Sequence, residues 1–100
     1  MPRARPVEDL TAILRAELPR LREQYGVKSL GLFGSYVRGN QERGSDLDIL
    51  VEFHEAPTLL GFVGLEEHLS DLLAVKVDLV MKTALKPRIG RRILSEVQPI

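Results

Sequence analysis

Three aspartates and one glycine-serine pair are the residues of this chain whose types and spacing could do chemistry. Asp46 and Asp48 stand two apart at the head of the alternating apolar run Leu47, Ile49, Val51, Phe53. Such alternation marks a strand with one buried face, and residues i and i+2 share a face, so the two carboxylates point the same way. A second run, Val77, Leu79, Met81, carries Asp78 on its opposite face. If the two strands are neighbours, three aspartates converge. Negative charges a few ångströms apart repel unless a proton or a cation sits among them. Hard divalent ions suit carboxylate oxygens, and magnesium takes one or two of them together with substrate phosphates.

Gly34 and Ser35 supply the complementary half. They close the apolar run "VKSLGLF" at 27–33 and open a short helix, a junction where backbone N–H groups gather and the helix dipole favours an anion. Gly34 lets the backbone approach a phosphate, the Ser35 hydroxyl adds a donor, and Arg38, followed by Gly39, lies one turn on, within reach of a phosphate oxygen. One half grips a polyphosphate and the other holds the metals that neutralise it. In-line displacement at phosphorus uses two metals about 3.5–4 Å apart to stabilise the attacking and leaving oxygens. Taken singly, each fragment has a plainer reading, the glycine-serine pair as a turn and the aspartates as strand-end solvation. The conjunction carries the inference.

The elements that must position these residues are legible from periodicity. Val7, Leu10, Ile13, Leu14, Leu18 and Leu21 follow the three- and four-residue spacing of an amphipathic helix. Pro6 suits its first turn, and Glu8 and Asp9 its positive end. Pro19 lacks a donor and disfavours the helical region for Leu18, which predicts two short helices, 7–18 and 19–25. Strands are expected at 27–33, 46–53 and 75–81, with the polar loop "NQERG" before the second. Helices are expected over 59–74, where Gly64 would allow close helix packing, and from near Pro87, followed by an extended end. The order α-β-α-β-α-β-α indicates an α/β (α+β) architecture, helices packed against a small sheet.

Composition bounds the function. A chain of 100 residues is expected to form a single domain, 1–100, without room for a second, substrate-reading domain. Apolar residues at 44% and charged residues at 28% are ordinary globular values. The formal net charge of zero argues against bulk electrostatic capture of nucleic acid or anionic membrane. No apolar run approaches the ~18 residues of a membrane span, and the N-terminus lacks a secretion-signal core. There is no cysteine, which excludes disulfides, zinc-thiolate sites and cysteine nucleophiles. The expected location is the cytoplasm. Charge is nevertheless segregated: eight acids against one base between Glu42 and Asp71, then five bases and no acid between Lys82 and Arg92. His54 and His68 lack a second ligand at metal spacing and read as surface or core residues. Tyr36 reads equally as packing or as a neighbour of a nucleotide, and Arg88, Arg91 and Arg92 as a solvated helix face or one that meets an acidic partner.

Gly34-Ser35, Arg38-Gly39, Ser45-Asp46-x-Asp48 and the later Asp78 resemble the signature of the DNA polymerase β-like nucleotidyltransferase superfamily. The similarity is to its minimal MNT-type branch, the proteins encoded beside HEPN-domain toxins, and it runs from "YGVKSLGLFGS" through "VDLVMKTALKP". The chain carries Val37 where "GSxARG" has alanine. The resemblance implies a small mixed sheet with helices packed against it. Gly34 and Ser35 would grip the triphosphate of ATP, with Arg38, Gly39 and Ser45 in the same nucleotide-binding signature. Asp46 and Asp48 would ligate two magnesium ions, and Asp78 would bind the catalytic one and help deprotonate the attacking hydroxyl. The implied acceptor is a tyrosine of a HEPN RNase toxin, silenced by AMPylation. Two alternatives stay open beside this: an antitoxin that works by binding alone, and a nucleotidyltransferase acting on RNA, against which the neutral charge and scarce aromatics weigh.

Overall fold

The computed structural model describes residues 7–39 and 46–100. In chain order the elements are helix α1 (Val7–Tyr25), strand β1 (Val27–Phe33), a one-turn helix α2 (Ser35–Arg38), β2 (Leu47–Phe53), α3 (Leu59–Leu73), β3 (Val77–Met81), a 3-10 turn (Lys82–Ala84), α4 (Pro87–Glu96) and a two-residue strand β4 (Gln98–Pro99). The strands form one sheet in the order β3-β2-β1-β4. β1 is antiparallel to β2 and to β4, and β2 is parallel to β3, so the sheet is mixed, as expected.

Period-two alternation divides the sheet into two faces. Leu30, Leu32, Leu47, Ile49, Val51, Val77 and Leu79 share a face and are buried with Leu10, Leu14, Leu18 and Leu21 of α1 and Leu65, Leu69 and Leu73 of α3. Burying a large aliphatic side chain in this way contributes roughly 1.5–3 kcal/mol each, and it fixes the register that turns the intervening residues outward. Gly31, Phe33, Asp48, Leu50 and Asp78 therefore lie on the opposite face. That face carries the aspartates.

Helix α1 does not break at Pro19. It runs unbroken through Val7–Tyr25 with the proline inside. Pro19 and Arg15, the residue whose carbonyl loses its donor, both lie on the exposed side, so water can satisfy that carbonyl. The buried stripe Leu10, Leu14, Leu18, Leu21 continues across the proline, and a break would have taken Leu21 out of the core. Packing overrides local propensity here. Gly64 also departs from expectation. A side chain there would meet nothing within 4 Å, so close helix packing does not explain it.

β3 is an edge strand, yet its outward N–H groups are not left bare. Val77 N–H donates to Ser70 Oγ at 3.0 Å and Leu79 N–H to Glu66 Oε2 at 2.9 Å. Both acceptors belong to α3, and Ser70 donates in turn to the Glu66 carbonyl at 2.9 Å. These bonds cover the edge against pairing with another strand. They also clamp the backbone on both sides of Asp78. No helix among the described residues is long and apolar enough to cross a membrane.

Candidate active site

The parallel pairing of β2 with β3 sets Asp48 directly beside Asp78, and the antiparallel pairing of β1 with β2 sets Phe33 on the other flank of Asp48. The next residue, Gly34, turns the chain off the sheet into α2. Its φ of 82° and ψ of −153° fall in a region open essentially to glycine alone. Space imposes the same choice: a Cβ at Gly34 would collide with the Asp48 carboxylate, 2.9 Å from its Cγ and 3.2 Å from its Cβ. The turn thus lies against the acid, and the two halves inferred from the sequence form one site.

Electrostatics report the same crowding. Burial, then the charges of Asp78 and Asp46, push the Asp48 carboxyl above its ordinary value, with Arg38 pulling the other way and a hydrogen bond with Asp78 adding to the rise. Without metal, two adjacent carboxyls relieve their repulsion by holding a proton more tightly. A divalent cation could take that proton's place.

Of the three acids expected to converge, Asp48 and Asp78 meet. Asp46 is close enough for its charge to act on Asp48 and on Tyr36, but its Oδ2 is 4.0 Å from Lys76 Nζ. Among the described residues no three carboxylate or imidazole side chains are gathered closely enough to hold an ion. The donor set still fits magnesium, which uses one or two carboxylates and completes its shell with water and substrate phosphate. Ser35 opens α2 and is partly exposed, while Gly39 closes the helix in the left-handed region with φ 74°. The residue needed at Gly39 is set by that cap. Ser45 lies outside the described residues.

Arg38, the last residue of α2, is held by a partner that the sequence does not announce. Its Nη1 donates to Glu96 Oε2 at 3.1 Å, and the other oxygen of Glu96 is 3.9 Å from Arg92 Nε. Glu96 is 58 residues away in sequence, so no local spacing signals the contact. Beyond Asp48, along the same face, lies a cleft of about 160 Å³ lined by Gly31 and Leu50 of the sheet and Leu94 and Val97 at the end of α4. Tyr36 is buried in the core, where burial first and the Asp46 charge second push its phenol up. Packing is the reading of Tyr36 that survives. His68, half-buried, lies 3.2 Å from Glu17 Oε2 and against the Tyr25 ring, and Leu65 and Leu69 are buried in the core.

Comparison with known proteins agrees with this geometry. The family described as "Nucleotidyltransferase domain" matches residues 14–100. The protein adenylyltransferase MntA of Thermococcus cleftensis is 52% identical over 91 residues, covering 91% of this chain and 92% of that protein. A solved structure described as a candidate minimal nucleotidyltransferase superposes with a TM-score of 0.81 at 38% identity, covering 96% of this chain and 97% of the other. A toxin-antitoxin structure with AMP-PNP superposes with a TM-score of 0.68 at 25% identity, covering 92% of this chain and 69% of that one. With the family's match spanning the acids, the turn and the sheet that joins them, the chain belongs to the nucleotidyltransferase family and is a minimal nucleotidyltransferase of the MNT type.

Proposed function

We propose that this nucleotidyltransferase transfers AMP from ATP to a hydroxyl of a partner protein, a tyrosine of a HEPN-type RNase toxin, and is the antitoxin of that pair. The observation that carries the reading is the Asp48–Asp78 pair with Gly34 closed against it. The relative named as a protein adenylyltransferase supports the choice of AMP and of a protein acceptor. The toxin-antitoxin neighbour with AMP-PNP supports the nucleotide and the setting. HEPN identity and the tyrosine rest on the motif resemblance. The expected location is the cytoplasm, where ATP is the donor at hand.

The chemistry follows from charge. The acceptor oxygen forms a bond to the α-phosphorus of ATP, and the bond from that phosphorus to the oxygen bridging to the β-phosphate breaks. Pyrophosphate leaves with the electron pair, and the acceptor proton passes to a carboxylate, a role we assign to Asp78, whose exposed side chain supports the reading. Gly34 and Ser35 hold the triphosphate at the turn, and Arg38 meets its charge. Asp46, Asp48 and Asp78 would hold two magnesium ions, which supply charge neutralisation for the attacking and leaving oxygens when bound.

The test is label transfer from α-labelled ATP with magnesium to the protein encoded beside this one. Transfer by wild type, lost in Asp46→Asn/Asp48→Asn, is expected. Neutralisation of the toxin at equal dose by that double variant would replace the catalytic reading with masking. Label appearing on RNA would move the acceptor.

A further inference from the structure

We propose that Glu96 is a positioning residue for nucleotide binding: it fixes the Arg38 guanidinium over the site so that the remaining donors face the triphosphate. The inference rests on the reading above, that this turn binds ATP. Arg38 ends a helix of one turn, and a long, rotamer-rich side chain there loses conformational entropy on engaging a ligand unless it is already held. The guanidinium carries five N–H donors in a rigid fork. Glu96 Oε2 accepts from its Nη1, and the fork has further donors to offer a phosphate.

Glu96 is itself a fixed point. Arg92, one turn back on α4, lies 3.9 Å from its second oxygen. Immediately after it, Val97 packs on Gly31, where a Cβ would come within 2.5 Å of Val97 Cγ2. Gln98 and Pro99 then pair with Leu32 and Gly31, and Ile100 N–H donates to the Leu30 carbonyl at 2.9 Å. The end of α4 is therefore pinned to the same strand whose next residues are the Gly34–Ser35 turn. Arg38 and Glu96 are both partly exposed, 46% and 27% at the side chain. An ion pair of that exposure adds little to stability, so its consequence lies in where it holds the guanidinium.

The experiment is a titration of magnesium-ATP binding to wild type, Glu96→Gln, Arg38→Ala and the double variant, with thermal midpoints measured alongside. Glu96→Gln is expected to weaken ATP binding about threefold to fivefold, the upper range of an ion pair between partly exposed groups. It should leave the midpoint close to wild type and add no further loss in the Arg38→Ala background. Wild-type affinity in Glu96→Gln, or a loss that persists in full on Arg38→Ala, overturns the proposal whatever the midpoints show. If wild type binds no magnesium-ATP, the reading of the site falls and the inference falls with it; if wild type binds and Glu96→Gln matches it, only the inference falls.

Discussion

Replacing Gly34 by alanine tests the join between the two halves of the site. Two separate costs are expected. The backbone at φ 82°, ψ −153° is one that an L-residue adopts only at about 1–3 kcal/mol. The new methyl would also stand on the Asp48 carboxylate, and swinging that side chain off its rotamer costs about 0.5–1.5 kcal/mol. Together these predict a loss of about 1.5–4.5 kcal/mol, or roughly 6–36 °C in thermal midpoint for a domain of this size. A double-mutant cycle separates the terms. In the Asp48→Ala background the overlap with the carboxylate is gone, while the 3.2 Å approach to the Cβ of residue 48 and the backbone strain remain, so Gly34→Ala should cost up to about 0.5–1.5 kcal/mol less there than in wild type. Denaturant melts of the four proteins measure this directly. Strict additivity would mean that Gly34 and Asp48 do not touch, and a Gly34→Ala midpoint equal to wild type would refute the strained turn as well.

Asp48→Asn should stabilise the metal-free protein at neutral pH while abolishing AMP transfer. The native carboxyl titrates above its ordinary 3.8, so the folded state binds that proton more tightly than the unfolded chain, and stability falls as pH rises through the raised value. The gain from Asn is therefore full above that value and vanishes below 3.8; melts in EDTA across pH 3–8 check it, and a gain that grows on acidification would contradict the sign. Removing the clamp on β3 by Glu66→Ala should speed hydrogen exchange at the Leu79 amide and cost about 1–3 kcal/mol, the penalty of leaving that donor unsatisfied. Transfer should fall with it, because Asp78 sits between the two clamped amides; unchanged exchange at Leu79 would show the bond to be idle. Ala74 closes α3 in the left-handed region at φ 54°, so Ala74→Gly should stabilise by about 0.5–1 kcal/mol, read as a higher denaturation midpoint with transfer unchanged.

Much of the fold was legible because period-two and period-3.6 patterns are direct consequences of burying one face. The strand expected at 27–33 and the helix from Leu59 appear where apolar spacing placed them, the strands expected at 46–53 and 75–81 begin one and two residues later, at Leu47 and Val77, and a helix starts at Pro87 as expected. Pro19 shows the limit of local reasoning: its effect on the backbone is intrinsic, but the burial of Leu21 on the far side is a property of the assembled core. The acids were legible for the same reason as the strands. Alternation alone puts Asp48 and Asp78 on the face opposite the core.

What the sequence by itself determined is therefore the kit: a glycine-serine turn, acids on one strand face, and a family signature joining them. Tertiary structure decided the distances. Parallel pairing in one register, and no other, brings Asp48 beside Asp78, and only the folded chain shows Gly34 closed on that carboxylate. It also set Asp46 toward Lys76, and it brought Glu96 to Arg38 across 58 residues. Strand periodicity is local and can be read from neighbours in the chain, whereas register and helix docking are fixed by what the whole core must bury.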